Sequence, residues 1–276
     1  QALVIYREVG DHVGESSTLN TIGLAYGSQG RYDEALNYLE RALVICREVS
    51  HRVGEGSTLY SIGEIYRYQD SYVEALNYYE QSLAISRDIG NRSQEGITLN
   101  QIGFIYKSQD SYVEALNYYE QSLAISRDIG DRAGESTTLH NIGGIYRSQD
   151  SYVEALNYYE QSLAISKDVG DHSQEGITLS QIGLLYYNQG NDSKALSYFE
   201  RALAILREAG NHVHIFEMLN GVGLSYSNQG EYENALLYFQ QALEIAQEIG
   251  DKPNEGLETF IIGATHVRLG QSSQAL

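Results

Sequence analysis

The twenty residues Ser71–Gly90 return unchanged at Ser111–Gly130 and, with only Lys167 and Val169 altered, at Ser151–Gly170, so the chain repeats itself every 40 residues. A fixed period of this length means one small supersecondary unit used over and over, each copy leaning on its neighbours in sequence. Set on that period, Gly23, Gly63, Gly103, Gly143, Gly183, Gly223 and Gly263 form one unbroken column. Ala35, Ala75, Ala115, Ala155, Ala195, Ala235 and Ala275 form a second, and Tyr26, Tyr66, Tyr106, Tyr146, Tyr186 and Tyr226 a third that fails at His266.

Each unit reads as two helices. Leu139, Ile142, Gly143 and Tyr146 follow the i, i+3, i+4, i+7 spacing of one apolar stripe, and Tyr152, Ala155, Leu156, Tyr159 and Leu163 resume it after a break at 148–151. A single Pro in 276 residues leaves the helices uninterrupted. In the break, Asp150 stands where other units have Gly30, Gly190 and Gly230, which predicts a left-handed turn. The second helix is expected to stop at Gly170, with Asp171 capping the next first helix, as in the pairs Gly90-Asn91, Gly130-Asp131, Gly210-Asn211 and Gly250-Asp251. The small columns allow close helix approach while large Tyr and Leu side chains fill the space beside them. One hairpin cannot hide both its stripes, so stability must accumulate along the stack.

Leu99, Ile102-Gly103, Tyr106, Tyr112, Ala115, Tyr119 and Leu123 together resemble the tetratricopeptide repeat. The resemblance covers essentially the whole chain and departs in two ways: Leu replaces the usual Trp, and the closing Pro gives way to a longer second helix ending in Asp-Ile-Gly-Asp. This longer form is similar to the 40-residue repeats of spindle-orienting G-protein-modulator scaffolds and of bacterial multi-repeat proteins. It implies an all-α solenoid of stacked antiparallel helix pairs in a right-handed superhelix. Residues 1–276 then form a single array: the end of a truncated repeat at 1–10, full repeats at 11–50, 51–90, 91–130, 131–170, 171–210 and 211–250, and a partial repeat at 251–276. Gln1–Gly10 matches Gln81–Gly90 and 271–276 matches the start of a second helix, so a fragment of a longer array is expected.

The net charge of −19 opposes nucleic acid, whose binding draws on clustered Lys and Arg. No apolar run approaches the roughly 20 residues that span a bilayer. Cys46, the only cysteine, fits a reducing cytoplasm and excludes an internal disulfide. No catalytic constellation is evident, and neither a cofactor nor a metal is expected. Cys46 shows no paired base and shares a column with Ser86, Ser126 and Ser166, while His12, His51, His172 and His212 fall between units and His140 and His266 stand alone. His212 and His214 are neighbours without ligand partners, and Gly221-Val222-Gly223 lies mid-helix without a preceding strand.

In the tetratricopeptide family the first helices line the concave side, and ligands lie along it. The resemblance therefore places a peptide-binding surface at Asn20, Tyr60, Glu64, Asn100, Gln101, Phe104, His140, Asn141, Gln181 and Asn220, with Thr21, Ser61 and Ser180 beside them. Amides, hydroxyls and aromatics suit hydrogen bonding to a peptide backbone. Arg67, Lys107 and Arg147 recur at its flank, either as a basic ladder for an acidic peptide or as local partners of Asp70, Asp110 and Asp150 three residues on. The expectation is a non-catalytic scaffold or adaptor for a protein or peptide segment. The alternative is the sensor arm of a larger signalling enzyme, a nucleotide-dependent switch or protease.

Overall fold

The computed structural model of the protein describes residues 2–274, and every regular element among them is helical. By their internal contacts the helices fall into two compact units, 1–134 and 135–276. The first contains α1 (Ala2–Val9), α2 (His12–Gly27), α3 (Tyr32–Glu48), α4 (Arg52–Tyr68), α5 (Tyr72–Asp88), α6 (Arg92–Ser108) and α7 (Tyr112–Ile129). The second follows from the first turn of α8 (Arg132–Ser148) through α9 (Tyr152–Val169), α10 (His172–Asn188), α11 (Asp192–Glu208), α12 (His212–Asn228), α13 (Tyr232–Glu248) and α14 (Lys252–Gln274). Ala275, the last member of the alanine column, lies outside the described residues, as does Gln1.

Within the first unit α2 pairs with α3, α4 with α5 and α6 with α7, and successive first helices touch as α2–α4 and α4–α6. The second unit repeats the scheme with α10–α11 and α12–α13, α10 touching α12. The result is an all-α solenoid. The turns form as the residue types require: Asp70, Asp110 and Asp150 sit at φ 55°, 58° and 55°, beside glycine at the equivalent Gly30, Gly190 and Gly230. First helices are capped by side chains of Asp11, Asn91, Asp131, Asp171, Asn211 and Asp251. His51 occupies the same place before α4 and makes no cap bond.

The glycine column works by contact. A Cβ built at Gly103 would lie 2.8 Å from the Tyr119 ring, and one at Gly183 would lie 2.6 Å from the Phe199 ring. Gly263 departs from the pattern: no helix faces it among the described residues, and nothing lies within 4 Å of its would-be Cβ. The cores are shared between hairpins. Tyr79 and Leu83 of α5 pack with Leu99, Ile102 and Ile105 of α6 and Ile125 of α7, one hairpin thus sheltering the stripe of the next. Ala155 and Tyr159 of α9 pack likewise with Ile182 and Leu185 of α10.

A column that the sequence reading passed over bolts the joints. Glu55, 9% exposed, accepts from Arg47 Nε at 2.9 Å and from Arg52 Nη1 at 2.7 Å, tying the end of α3 to the start of α4. Glu95 repeats this with Arg87 at 2.9 Å and Arg92 at 2.6 Å. For both carboxyls burial works toward neutrality, but the two arginines outweigh it and hold them below the usual range.

Candidate functional site

The first helices carry the expected surface residues at a fixed register, 20, 21, 24 and 27 in the first repeat and every 40 residues after it. In the first unit they converge around α4. Arg67 makes a two-pronged contact with Glu64, Nη2 to Oε2 at 2.8 Å and Nε to Oε1 at 3.2 Å. Tyr79 reaches in from α5, and its hydroxyl donates to Glu64 Oε1. The Tyr60 ring tilts against that of Tyr79 at 5.6 Å, and the Arg67 guanidinium lies 4.4 Å over Tyr68 and 5.4 Å from the centre of Phe104 on α6. Gln101 bonds the Tyr60 hydroxyl.

The electrostatics follow from burial and pairing. Burial alone would lower the Arg67 pKa, yet the hydrogen bonds and charge of Glu64 overcome that and raise it. Burial first, and the Glu64 charge second, push the Tyr60 and Tyr79 phenols up. Glu64 and Arg67 are thereby spent on each other, which corrects the local pairing expected of Arg67. Its partner is the carboxylate one turn before it. Asp70, turned away by its left-handed backbone, takes the Tyr72 hydroxyl at 2.9 Å. Asp110 and Asp150 likewise accept from Tyr112 at 2.7 Å and Tyr152 at 2.8 Å. Asn20, Asn100 and Lys107 stand half-buried at their registers on α2 and α6.

In the second unit the same registers are used differently. His140 Nδ1 lies 3.1 Å from Thr178 Oγ1, linking α8 to α10, and its ring tilts against Tyr159 at 5.3 Å. Burial raises the Tyr159 phenol, and the charge and hydrogen bond of Arg147 oppose that rise. Among the described residues the Nε of Arg147 has no acceptor of its own. Asn141, Gln181 and Asn220 are half-buried on α8, α10 and α12. Asn220 faces Glu258 of α14, a fully buried carboxyl that burial raises above its ordinary pKa against a smaller pull from Asn220. Among the described residues Oδ1 of Asn220 and of Asn20 has no hydrogen-bond donor.

Tyr68 and Tyr79 escaped the sequence reading, although an acid at 64 in a column of Leu24, Phe104, Gly144, Leu184 and Leu224 signals a carboxylate that must find partners inside. Cys46 has a neighbour after all: a Cβ on Gly54 would meet both its Sγ at 2.8 Å and His51 Nδ1 at 2.4 Å. His51 Nδ1 has no hydrogen-bond partner among the described residues, and the thiol is 1% exposed. His12, His172 and His212 open helices rather than occupying loops, because the preceding residue closes the turn. His214 Nδ1 lies 2.9 Å from Oδ1 of the capping Asn211. Among the described residues no three His, Cys, Asp or Glu side chains could hold a metal ion, and no helix is long and apolar enough to cross a membrane.

No curated protein matches the chain by sequence. Solved structures do match by shape. A signal-transduction ATPase with a tetratricopeptide repeat sensor from Pyrococcus horikoshii has a TM-score of 0.77 at 19% identity, over 99% of this chain and 43% of that one. Aspartyl phosphate phosphatase F from Bacillus subtilis has a TM-score of 0.71 at 15% identity, over 96% and 74%. NprR in complex with its cognate peptide NprX has a TM-score of 0.62 at 17% identity, over 84% and 67%. At these identities the likeness is one of fold. The tetratricopeptide repeat model itself matches at residues 1–48, 15–88, 54–128, 94–168, 134–208 and 214–276. With its hairpins, glycine contacts and shared cores, the chain belongs to the tetratricopeptide repeat family.

Proposed function

We propose that this chain is a non-catalytic scaffold that holds a peptide or protein segment along the face formed by its first helices. One observation carries the reading. In a molecule of net charge −19, the registers of 20, 21, 24 and 27 contain a single acid through residue 228, Glu64, and it is neutralised by Arg67 and Tyr79. Beside that neutralised Glu64–Arg67 pair the face offers amide, hydroxyl, aromatic and cationic groups: Asn20, Tyr60, Asn100, Gln101, Phe104, Lys107, His140, Asn141, Arg147, Gln181 and Asn220. Within each unit such residues hydrogen-bond a peptide backbone and tolerate acidic side chains that the rest of the surface would repel. NprR, which shares the fold, is seen with its cognate peptide. We further place the repeat with the 40-residue arrays of spindle-orienting and bacterial scaffolds, on the length of its second helices.

The test is a random-peptide display screen against the protein, followed by calorimetry of the enriched peptides on wild type and on the combined Asn100→Ala, Lys107→Ala, His140→Ala, Arg147→Ala variant. Affinity should fall at least ten-fold, about 1.4 kcal/mol. An unaltered Kd would remove this face from consideration. A second reading, the repeat sensor of a larger signalling enzyme, is favoured by the ATPase likeness, in which this fold is 43% of a chain that carries other domains. A nucleotide-binding motif in the flanking reading frame decides for it.

A further inference from the structure

Every complete hairpin carries a stacked tyrosine pair, one ring from each helix, and the pairs are not treated alike. Tyr26–Tyr38, Tyr66–Tyr78, Tyr106–Tyr118 and Tyr186–Tyr198 have centroids 5.3, 5.4, 5.4 and 5.5 Å apart and planes within 20° of parallel. In the α2–α3 hairpin the protein covers its own stack with cations. Arg31 lies 4.4 Å over Tyr26 and Arg41 lies 5.5 Å over Tyr38. The α10–α11 hairpin does the same from another position, with Lys194 4.8 Å over Tyr186 and Arg201 5.2 Å over Tyr198.

In the α4–α5 and α6–α7 hairpins those positions hold no cation. Arg31 becomes Ser71 and Ser111, Lys194 becomes Glu74 and Glu114, and Arg41 and Arg201 become Gln81 and Gln121. Carboxylates stand around these rings instead. After burial and the partner ring, Glu40 and Glu74 raise the Tyr66 phenol, and Glu80 does the same for Tyr118 against a smaller opposing pull from Arg87. Between α5 and α7 a cavity of about 510 Å³ opens onto the second pair, lined by Glu80, Leu83, Tyr106, Glu114, Tyr118 and Gln121 among others. Arg87 also lines it, its Nε held by Glu95 at 2.9 Å and its Nη2 donating to Gln121 at 3.4 Å. Among the described residues Glu80 and Glu114 have no ion-pair partner.

A flat aromatic pair with a carboxylate on either side is the complement of a guanidinium or ammonium group, and two other hairpins show such groups settling on the same rings. We propose that the Tyr66–Tyr78 and Tyr106–Tyr118 stacks receive Lys or Arg side chains of a basic polypeptide segment lying across the second helices. This surface is separate from the first-helix face and of opposite preference. The acidic net charge draws the segment in, and the ring pairs select where its cations come to rest.

The test is fluorescence anisotropy with labelled octa-arginine on the intact chain at moderate salt. Tyr66→Leu and Tyr106→Leu leave the charge unchanged, and each should weaken binding roughly five-fold. Glu114→Lys, which copies Lys194, should weaken it well beyond Glu248→Lys, an exposed control with the same charge change. Should the leucine variants lose helical circular dichroism, the comparison of the two lysine variants decides. Wild-type affinity in folded leucine variants, or equal losses from Glu114→Lys and Glu248→Lys, would show attraction by net charge alone and overturn the proposal. Complete displacement of the peptide by spermine at matched charge would overturn the polypeptide as occupant.

Discussion

Tyr79 and Tyr119 occupy the same position in two consecutive copies of an identical twenty-residue segment, both fully buried, yet removing their hydroxyls should have opposite effects. The Tyr79 hydroxyl donates to the carboxylate of Glu64, itself closed off from solvent. A hydrogen bond to a charged group contributes about 1.5–3 kcal/mol. Arg67 still serves both oxygens of Glu64 when the tyrosine is cut back, so the lower part of that range applies. Tyr79→Phe is therefore expected to destabilise by roughly 1.5 kcal/mol. In the next repeat Phe104 stands at the position of Glu64, and among the described residues the Tyr119 hydroxyl has no partner. Burying an unsatisfied hydroxyl costs about 1–3 kcal/mol, which removal of the atom relieves, less the packing lost around the small void. Tyr119→Phe should then be neutral or stabilise by up to about 1 kcal/mol, a gap of roughly 2 kcal/mol between two chemically identical changes. Urea unfolding followed by circular dichroism measures both. In a Glu64→Leu background, the Tyr79→Phe penalty should vanish. If Tyr119→Phe lowers the midpoint as much as Tyr79→Phe does, the hydrogen-bond account is wrong.

Other outcomes follow from the same contacts. Gly103→Val drives a side chain into the Tyr119 ring and should cost roughly 1–3 kcal/mol in thermal melts, with an unchanged melting temperature contradicting the close packing. His51→Asp restores the cap that the other first helices possess and should add about 1 kcal/mol, read from the same melts. Acid titration of stability tests the joints. The carboxyls of Glu55 and Glu95 are depressed in the fold, so their contribution is complete above the free carboxyl value of 4.5 and is lost as pH falls below it; Glu95→Gln should flatten that loss. Glu258 runs the other way, its raised pKa costing stability as pH climbs past 4.5, so Glu258→Gln should stabilise at pH 7 and do so less at pH 4.

The repeat period, the two-helix unit, the left-handed aspartates and the capping residues were all legible in the sequence, because each depends on local spacing and on what one backbone position tolerates. Gly103 and Tyr119 could be assigned to a buried contact from their columns alone. The pairing of Arg67 could not: Asp70 and Glu64 are equally near in sequence, and only the turn at Asp70 and the approach of Tyr79 from the partner helix decide for Glu64. Lateral relations of this kind have no period to betray them. His51 and the single cysteine, Cys46, meet at Gly54 for the same reason, as do Arg31 and Tyr26 in one hairpin while Ser71 stands beside Tyr66 in the next. Sequence by itself thus determined the helices, their order and the face each buries, since repetition fixes backbone geometry one turn at a time. Tertiary structure alone decided which charges are consumed, and by which partner, since that depends on side chains from different helices competing for the same few ångströms.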